Sequence, residues 1–210
     1  DNRSLSGHML DQMIDAIRVT STDAVVFSDF RHGIFNRATI SKLIAAIPSS
    51  VFRVADSQVA TRWGNITEFH KFDLITPNER EARFALADQD STVGTLAGML
   101  KEKTKCHLLI LKLGERGIFT LASEERKCTN DHFSIDSFAT NVVDAVGSGD
   151  ALLAYATLSM LSNGSEVIAS ILGSMAAACE CELDGNIPIK KRDVMSKIDM
   201  AERLAEYNGE

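Results

Sequence analysis

The chain has 210 residues, 45% of them hydrophobic and 24% charged, with a net charge of −7. That length and apolar share suit one substantial core, so a single domain over residues 1–210 is expected. The acidic balance and scattered Lys and Arg exclude a nucleic-acid surface, which needs clustered cations.

Ala24 to Phe27 is a short continuous apolar run, as expected for a buried strand. Ile40, Leu43, Ile44 and Ile47 then share one helical face, ended by Pro48. Val51 to Ala55 and Leu74 to Thr76 read as two more strands, and Glu79 to Leu86 as the helix after Pro77. Leu96 to Lys103 is helical, Leu108 to Leu111 is the clearest buried strand, and Ile118 to Leu121 reads as a hairpin strand. Phe133 to Phe138 is predicted as an edge strand. Three helices follow, over Asp150 to Leu161, Ser165 to Cys181 and Lys190 to Tyr207. This alternation predicts an α/β fold, a mainly parallel sheet flanked by helices on both faces.

The four cysteines form no CxxC pair and lie near no ligand-spaced histidines, which argues against zinc. A disulfide framework is not expected in a chain this long and apolar, so Cys106 and Cys179 read as reduced core thiols. No apolar stretch reaches the ~18 residues a membrane span needs, and no signal peptide is visible. A cytoplasmic protein with no membrane partner is expected.

Three segments carry candidate chemistry. In Asp144-Ala145-Val146-Gly147-Ser148-Gly149-Asp150, two glycines allow a tight turn that aims consecutive N–H groups into one hollow. The helix that follows adds its positive end, a geometry suited to a transferring phosphoryl group. Asp150 within that hollow fits a general base for an attacking hydroxyl, or simply a helix N-cap. In Thr76-Pro77-Asn78-Glu79-Arg80-Glu81, Asn78 and Glu81 share the first helical turn. They could order the water shell of Mg²⁺, or close a capping box. In Lys112-Leu113-Gly114-Glu115-Arg116-Gly117, a strand ends in a glycine turn where Lys112 could meet phosphate, or in an ordinary hairpin. A dinucleotide fingerprint is disfavoured, since Leu152 stands where the third glycine of GxGxxG belongs.

Taken in this order and spacing, the three segments resemble the ribokinase-like (PfkB) carbohydrate kinases. The family's Asn-x-x-Glu is matched at Asn78 to Glu81, its glycine turn at Lys112 to Gly117, and its Asp-x-x-Gly-Ala-Gly-Asp at Asp144 to Asp150. The resemblance implies ATP and Mg²⁺ as cofactors, with a monovalent cation as a further candidate. It implies Asp150 as catalytic base and Val146, Gly147, Ser148 and Gly149 as the anion hole. Lys112, Gly114, Gly117 and Ser174 would lie along ATP, the stretch Leu172 to Cys179 walling the adenine. Asn78 and Glu81 would position the metal through water.

A narrower resemblance joins Phe27-Ser28-Asp29-Phe30-Arg31-His32-Gly33 to the heptose-phosphate kinases, including those fused to a nucleotidyltransferase. It implies that Asp29 and Gly33 border a sugar or sugar-phosphate substrate. The family's first strands and lid have no counterpart here, so the chain alone is expected to be inactive, and its uncovered sheet edge is expected either to pair in a homodimer or to be covered by a preceding N-terminal segment. The competing reading is a non-catalytic nucleotide-binding or regulatory module of the same fold.

Overall fold

Leu108–Lys112 shows most directly why this chain forms a layered sheet. Leu108, Leu109, Ile110 and Leu111 are at most 1% exposed, so both faces of that strand are covered. Helices packed on both faces of a parallel sheet cover a strand in this way, and each such side chain is worth about 1.5–3 kcal/mol when buried. The computed structural model describes residues 5–30, 33–57, 66–122 and 132–207. They form two units, one within Asp1–Leu111 and Phe119–Phe133, the other within Lys112–Ile118 and Ser134–Glu210.

The first unit opens with α1 (Gly7–Val19), β1 (Ala24–Asp29), α2 (Arg37–Ala46) and β2 (Phe52–Ser57). A 3-10 turn (Ile66–Glu68), β3 (Leu74–Ile75), α3 (Glu79–Leu86), α4 (Val93–Thr104) and β4 (Leu108–Lys112) follow. β5 (Ile118–Leu121) and β6 (His132–Ile135) complete a mixed sheet of six strands in sequential order. β1 to β4 pair in parallel, with Val26 opposite Val54, Val54 opposite Leu74, and Leu74 opposite Leu108. β1 is the outer strand among those described, and its Val26 is 46% exposed. Phe27 packs at ring-centroid distances of 5.4–5.5 Å from Phe35, Phe69 and Phe72, closing the core beneath that strand.

The second unit contains α5 (Ser148–Asn163), α6 (Glu166–Cys181) and α7 (Lys191–Tyr207). α5 and α6 meet closely at Gly173, where an added Cβ would lie 3.1 Å from the Leu152 carbonyl oxygen. α7 closes the core through Val194, which packs with Met175, Ala176 and Cys179. Burial pushes the Cys106 and Cys179 thiols above their ordinary range, so both stay protonated and act as small apolar groups. No helix among the described residues is long and apolar enough to cross a membrane.

Three expectations need correction. The edge strand predicted over Phe133 to Phe138 spans His132–Ile135, because the chain then turns, with the Ser137 hydroxyl accepting from the Ala139 N–H at 3.2 Å. The helix predicted from Asp150 begins at Ser148, which moves its cap away from Asp150. Helix α1 precedes the first element expected from the sequence.

Candidate functional site

Gly147 makes the turn into α5 with φ +88°, a left-handed conformation that favours glycine. It is the N-cap, no side chain caps it, and Asp150 sits in the first turn of the helix. The capping reading of Asp150 is thereby overturned. The Asp144 carboxylate accepts from the Val146 N–H at 3.0 Å, and the Ala145 carbonyl accepts from the Ser148 N–H at 3.3 Å and its hydroxyl at 2.8 Å. These bonds hold the loop from within. The N–H groups of Gly147 and Gly149 donate to no partner among the described residues. Of the four residues expected to form an anion hole, these two present open donors and Val146 and Ser148 hold the shape.

Behind the loop, an added Cβ on Gly147 would lie 2.6 Å from Glu180 Oε1 and 2.7 Å from Asn186 Oδ1. Glu180 is 2% exposed, and its Oε1 accepts from the Ile187 N–H at 3.1 Å. Glu180, in the last turn of α6, and Asn186 beyond it thus lie directly beneath Gly147.

A cavity of about 240 Å³ adjoins this helix start. It is lined by Lys112, Gly114, Gly117, Ser148, Gly149 and Ser174, so six of the residues expected from the sequence meet around one space. Val146, Gly147 and Asp150 are not among its lining. One face of α6, formed by Ser174, Ala177, Ala178 and Cys181, makes a long wall, with Ser137, Ala139 and Val142 contributing further lining. Ala177, Ala178 and Cys181 follow Ser174 at helical spacing, a signal the sequence carried. The glycines of the Lys112 turn serve different ends. Gly117 has φ +81°, and a Cβ there would fall 2.0 Å from the Ile135 carbonyl oxygen, so the neighbouring backbone requires it. Gly114 has φ +64° and open space around it.

In the other unit, Asn78 and Glu81 close a capping box. The Asn78 N–H donates to Glu81 Oε2 at 2.6 Å, Asn78 Nδ2 donates to Glu81 Oε1 at 2.7 Å, and the Glu81 N–H donates to Asn78 Oδ1 at 2.8 Å. Just ahead of it, the fully buried Thr76 hydroxyl has no partner among the described residues. Asp29 ends β1, 3% exposed, and accepts from the Ser57 hydroxyl at 3.3 Å. Gly33 has φ +91°. Arg31 and His32 of the same segment lie outside the described residues. Among the described residues, no three or more His, Cys, Asp and Glu side chains are grouped to hold a metal ion.

The pattern of the pfkB family carbohydrate kinases matches residues 2–191. The bifunctional protein HldE of Pelobacter propionicus is 24% identical over 183 residues, covering 85% of this chain and 36% of that protein. HldE of Methylobacillus flagellatus is 25% identical over 213 residues, covering 98% of this chain and 42% of that protein. The chain thus spans less than half the length of these curated relatives. Phosphofructokinase-2 from Escherichia coli, solved in complex with potassium, superposes with a TM-score of 0.79 at 16% identity, over 94% of this chain and 63% of that one. Arabidopsis thaliana ribokinase, solved with ribose and ATP, superposes with a TM-score of 0.69 at 18% identity, over 94% and 62%. The fold is ribokinase-like, and the chain belongs to the pfkB family of carbohydrate kinases.

Proposed function

We propose that the chain carries the nucleotide-binding and phosphoryl-transfer elements of an ATP-dependent kinase acting on a sugar or sugar-phosphate hydroxyl. The observation that carries this reading is the start of α5. Its N-terminus is uncapped, Gly147 and Gly149 present open N–H groups, and Asp150 stands in the same first turn. The positive helix end and those donors favour charge developing on phosphoryl oxygens. Asp150 takes the proton of the attacking hydroxyl as its oxygen bonds to the γ-phosphorus and ADP leaves. The adenosine part of ATP occupies the cavity along α6, and the Lys112 ammonium meets its phosphates.

Mg²⁺ neutralises phosphate charge when bound. A Mg²⁺ bound here would need no dense protein carboxylate cage, so residues acting through water would suffice to hold it. In the capping box the Glu81 carboxylate accepts from the Asn78 N–H and from Asn78 Nδ2, and a carboxylate held in place this way suits contact with a metal through water. A monovalent cation belongs to the same proposal, as does placing Asp29 and Gly33 at the sugar side. Replacing Asp150 with Asn in the full-length protein tests the reading. Turnover is expected to fall by about 10²-fold or more while ATP affinity is kept. Near-normal kcat in that variant would refute the assignment.

A further inference from the structure

Thr140, Glu182 and Lys197 form a polar cluster joining the end of α6, helix α7 and the chain before the anion loop. Lys197 is 7% exposed, and its Nζ donates to both Glu182 carboxylate oxygens at 2.7 Å and to the Phe138 carbonyl at 3.3 Å. Glu182 Oε1 also accepts from the Thr140 N–H at 2.8 Å and its hydroxyl at 2.9 Å. One residue earlier, the Cys181 carbonyl accepts from the N–H groups of Val143 at 2.7 Å and Asp144 at 3.2 Å. Phe138 packs against the cluster of Met175, Ala176, Cys179 and Val194, and beyond it the chain from Ala139 to Asp144 is held to the end of α6 by these polar bonds.

That chain has no regular structure, and Thr140, Asn141, Val142 and Val143 are exposed. Past Phe138, apolar packing contributes little to ordering it, so the backbone entropy there must be offset by the polar bonds. The same stretch supplies Ala139 and Val142 to the cavity lining, and Asp144 at its end fixes Val146 in the anion loop. A buried ammonium is expensive unless paired, and an apolar residue would join α7 to α6 equally well. What the ion pair adds over such a residue is a fixed position for the cavity wall.

We propose that Lys197, Glu182 and Thr140 are positioning residues, which set the 138–146 chain in its nucleotide-binding geometry before the nucleotide arrives. The proposal rests on the nucleotide reading of the cavity. Its energetic logic is population: if the wall is in place only a tenth of the time, apparent affinity falls about tenfold.

A double-mutant cycle measured with ADP by isothermal titration calorimetry on the full chain tests this. Lys197→Met and Glu182→Gln are each expected to raise the Kd about tenfold, and the double variant to bind no worse than the poorer single, since both break one unit. Lys197→Arg should restore most of the affinity. Thr140→Val keeps the backbone bond and touches no helix core, so it reports on the wall even where the lysine variants fold poorly. It is expected to raise the Kd severalfold with little change in Tm. Each Kd is measured well below that variant's own Tm. Unchanged Kd values alongside a lowered Tm overturn the positioning role, and so do strictly additive losses. A wild-type chain that binds no ADP at millimolar concentration sinks the nucleotide reading and the proposal with it. A wild type that binds, with variants that bind equally, sinks the proposal alone.

Discussion

Replacing Gly147 with Ala perturbs the packing beneath the turn into α5 without changing charge. Two costs add. At φ +88° any side chain is strained, worth about 1 kcal/mol. The new Cβ would also fall 2.6 Å from Glu180 Oε1 and 2.7 Å from Asn186 Oδ1. Glu180 is 2% exposed and bonded to the Ile187 N–H, so it cannot swing into solvent without breaking that bond. Overpacking of this kind costs about 1–3 kcal/mol, giving a total of about 2–4 kcal/mol. Gly185 is the control, with φ +79° and nothing within 4 Å of an added Cβ. Gly185→Ala should show the strain alone, about 1 kcal/mol. Thermal unfolding by circular dichroism reads the difference, at roughly 2–4 °C per kcal/mol for a chain of this size. Equal losses in the two variants would refute the idea that Glu180 and Asn186 brace the loop.

Gly98 lies exposed within α4 with nothing near an added Cβ, so Gly98→Ala should raise stability by about 0.5–1 kcal/mol; a lower Tm would contradict that. Cys181 is a half-buried free thiol lining the cavity, whereas Cys106 and Cys179 are buried. Iodoacetamide should therefore alkylate Cys181 ahead of those two, and ADP should slow it; labelling indifferent to ADP, read by peptide mass spectrometry, would remove that face of α6 from the nucleotide site. Burial pushes the Glu182 carboxyl up, but hydrogen bonds from Lys197 and from the Thr140 N–H and hydroxyl outweigh it, so the group titrates below its ordinary value of 4.5. A folded-state value below the unfolded one gives stability that is complete above the unfolded value and lost as pH falls through the folded one. Wild-type Tm should thus drop more steeply than that of Glu182→Gln in acid; parallel profiles would contradict this.

The alternation of strands and helices was legible because β4 is a continuous apolar run and α3 and β5 are bounded by Pro77, Gly117 and their own periodicity. Helix α1 carries an equally plain signal, Leu10, Met13, Ile14 and Ile17 after the Ser6 cap, but it stands ahead of the first continuous apolar run, where the strand–helix alternation becomes visible. The role of Gly117 could not be read locally, because the backbone it must clear lies at Ile135 to Ser137. The Thr140–Glu182–Lys197 cluster was hidden for the same reason. Its members are 42 and 15 residues apart, and single-sequence periodicity reports only neighbours within an element.

Asp150 and Asn78 looked alike in sequence, each a polar residue at a helix start with two readings, and the structure separates them through capping. A helix N-terminus can give its open N–H groups to its own side chain or to an external anion, but the same group cannot serve both. α1, α2, α3, α4 and α6 are capped by Ser6, Asn36, Asn78, Thr92 and Ser165. At α5 the residue that could have done so, Ser148, instead turns its hydroxyl back to the Ala145 carbonyl, and Gly147 has no side chain to offer. α3 is closed by its capping box, so phosphoryl oxygens have little to gain there. α5 keeps its donors open next to a carboxylate, an arrangement that costs stability in a helix with no anion to bind. That cost is what makes the start of α5 the place to look for the transferring phosphoryl group.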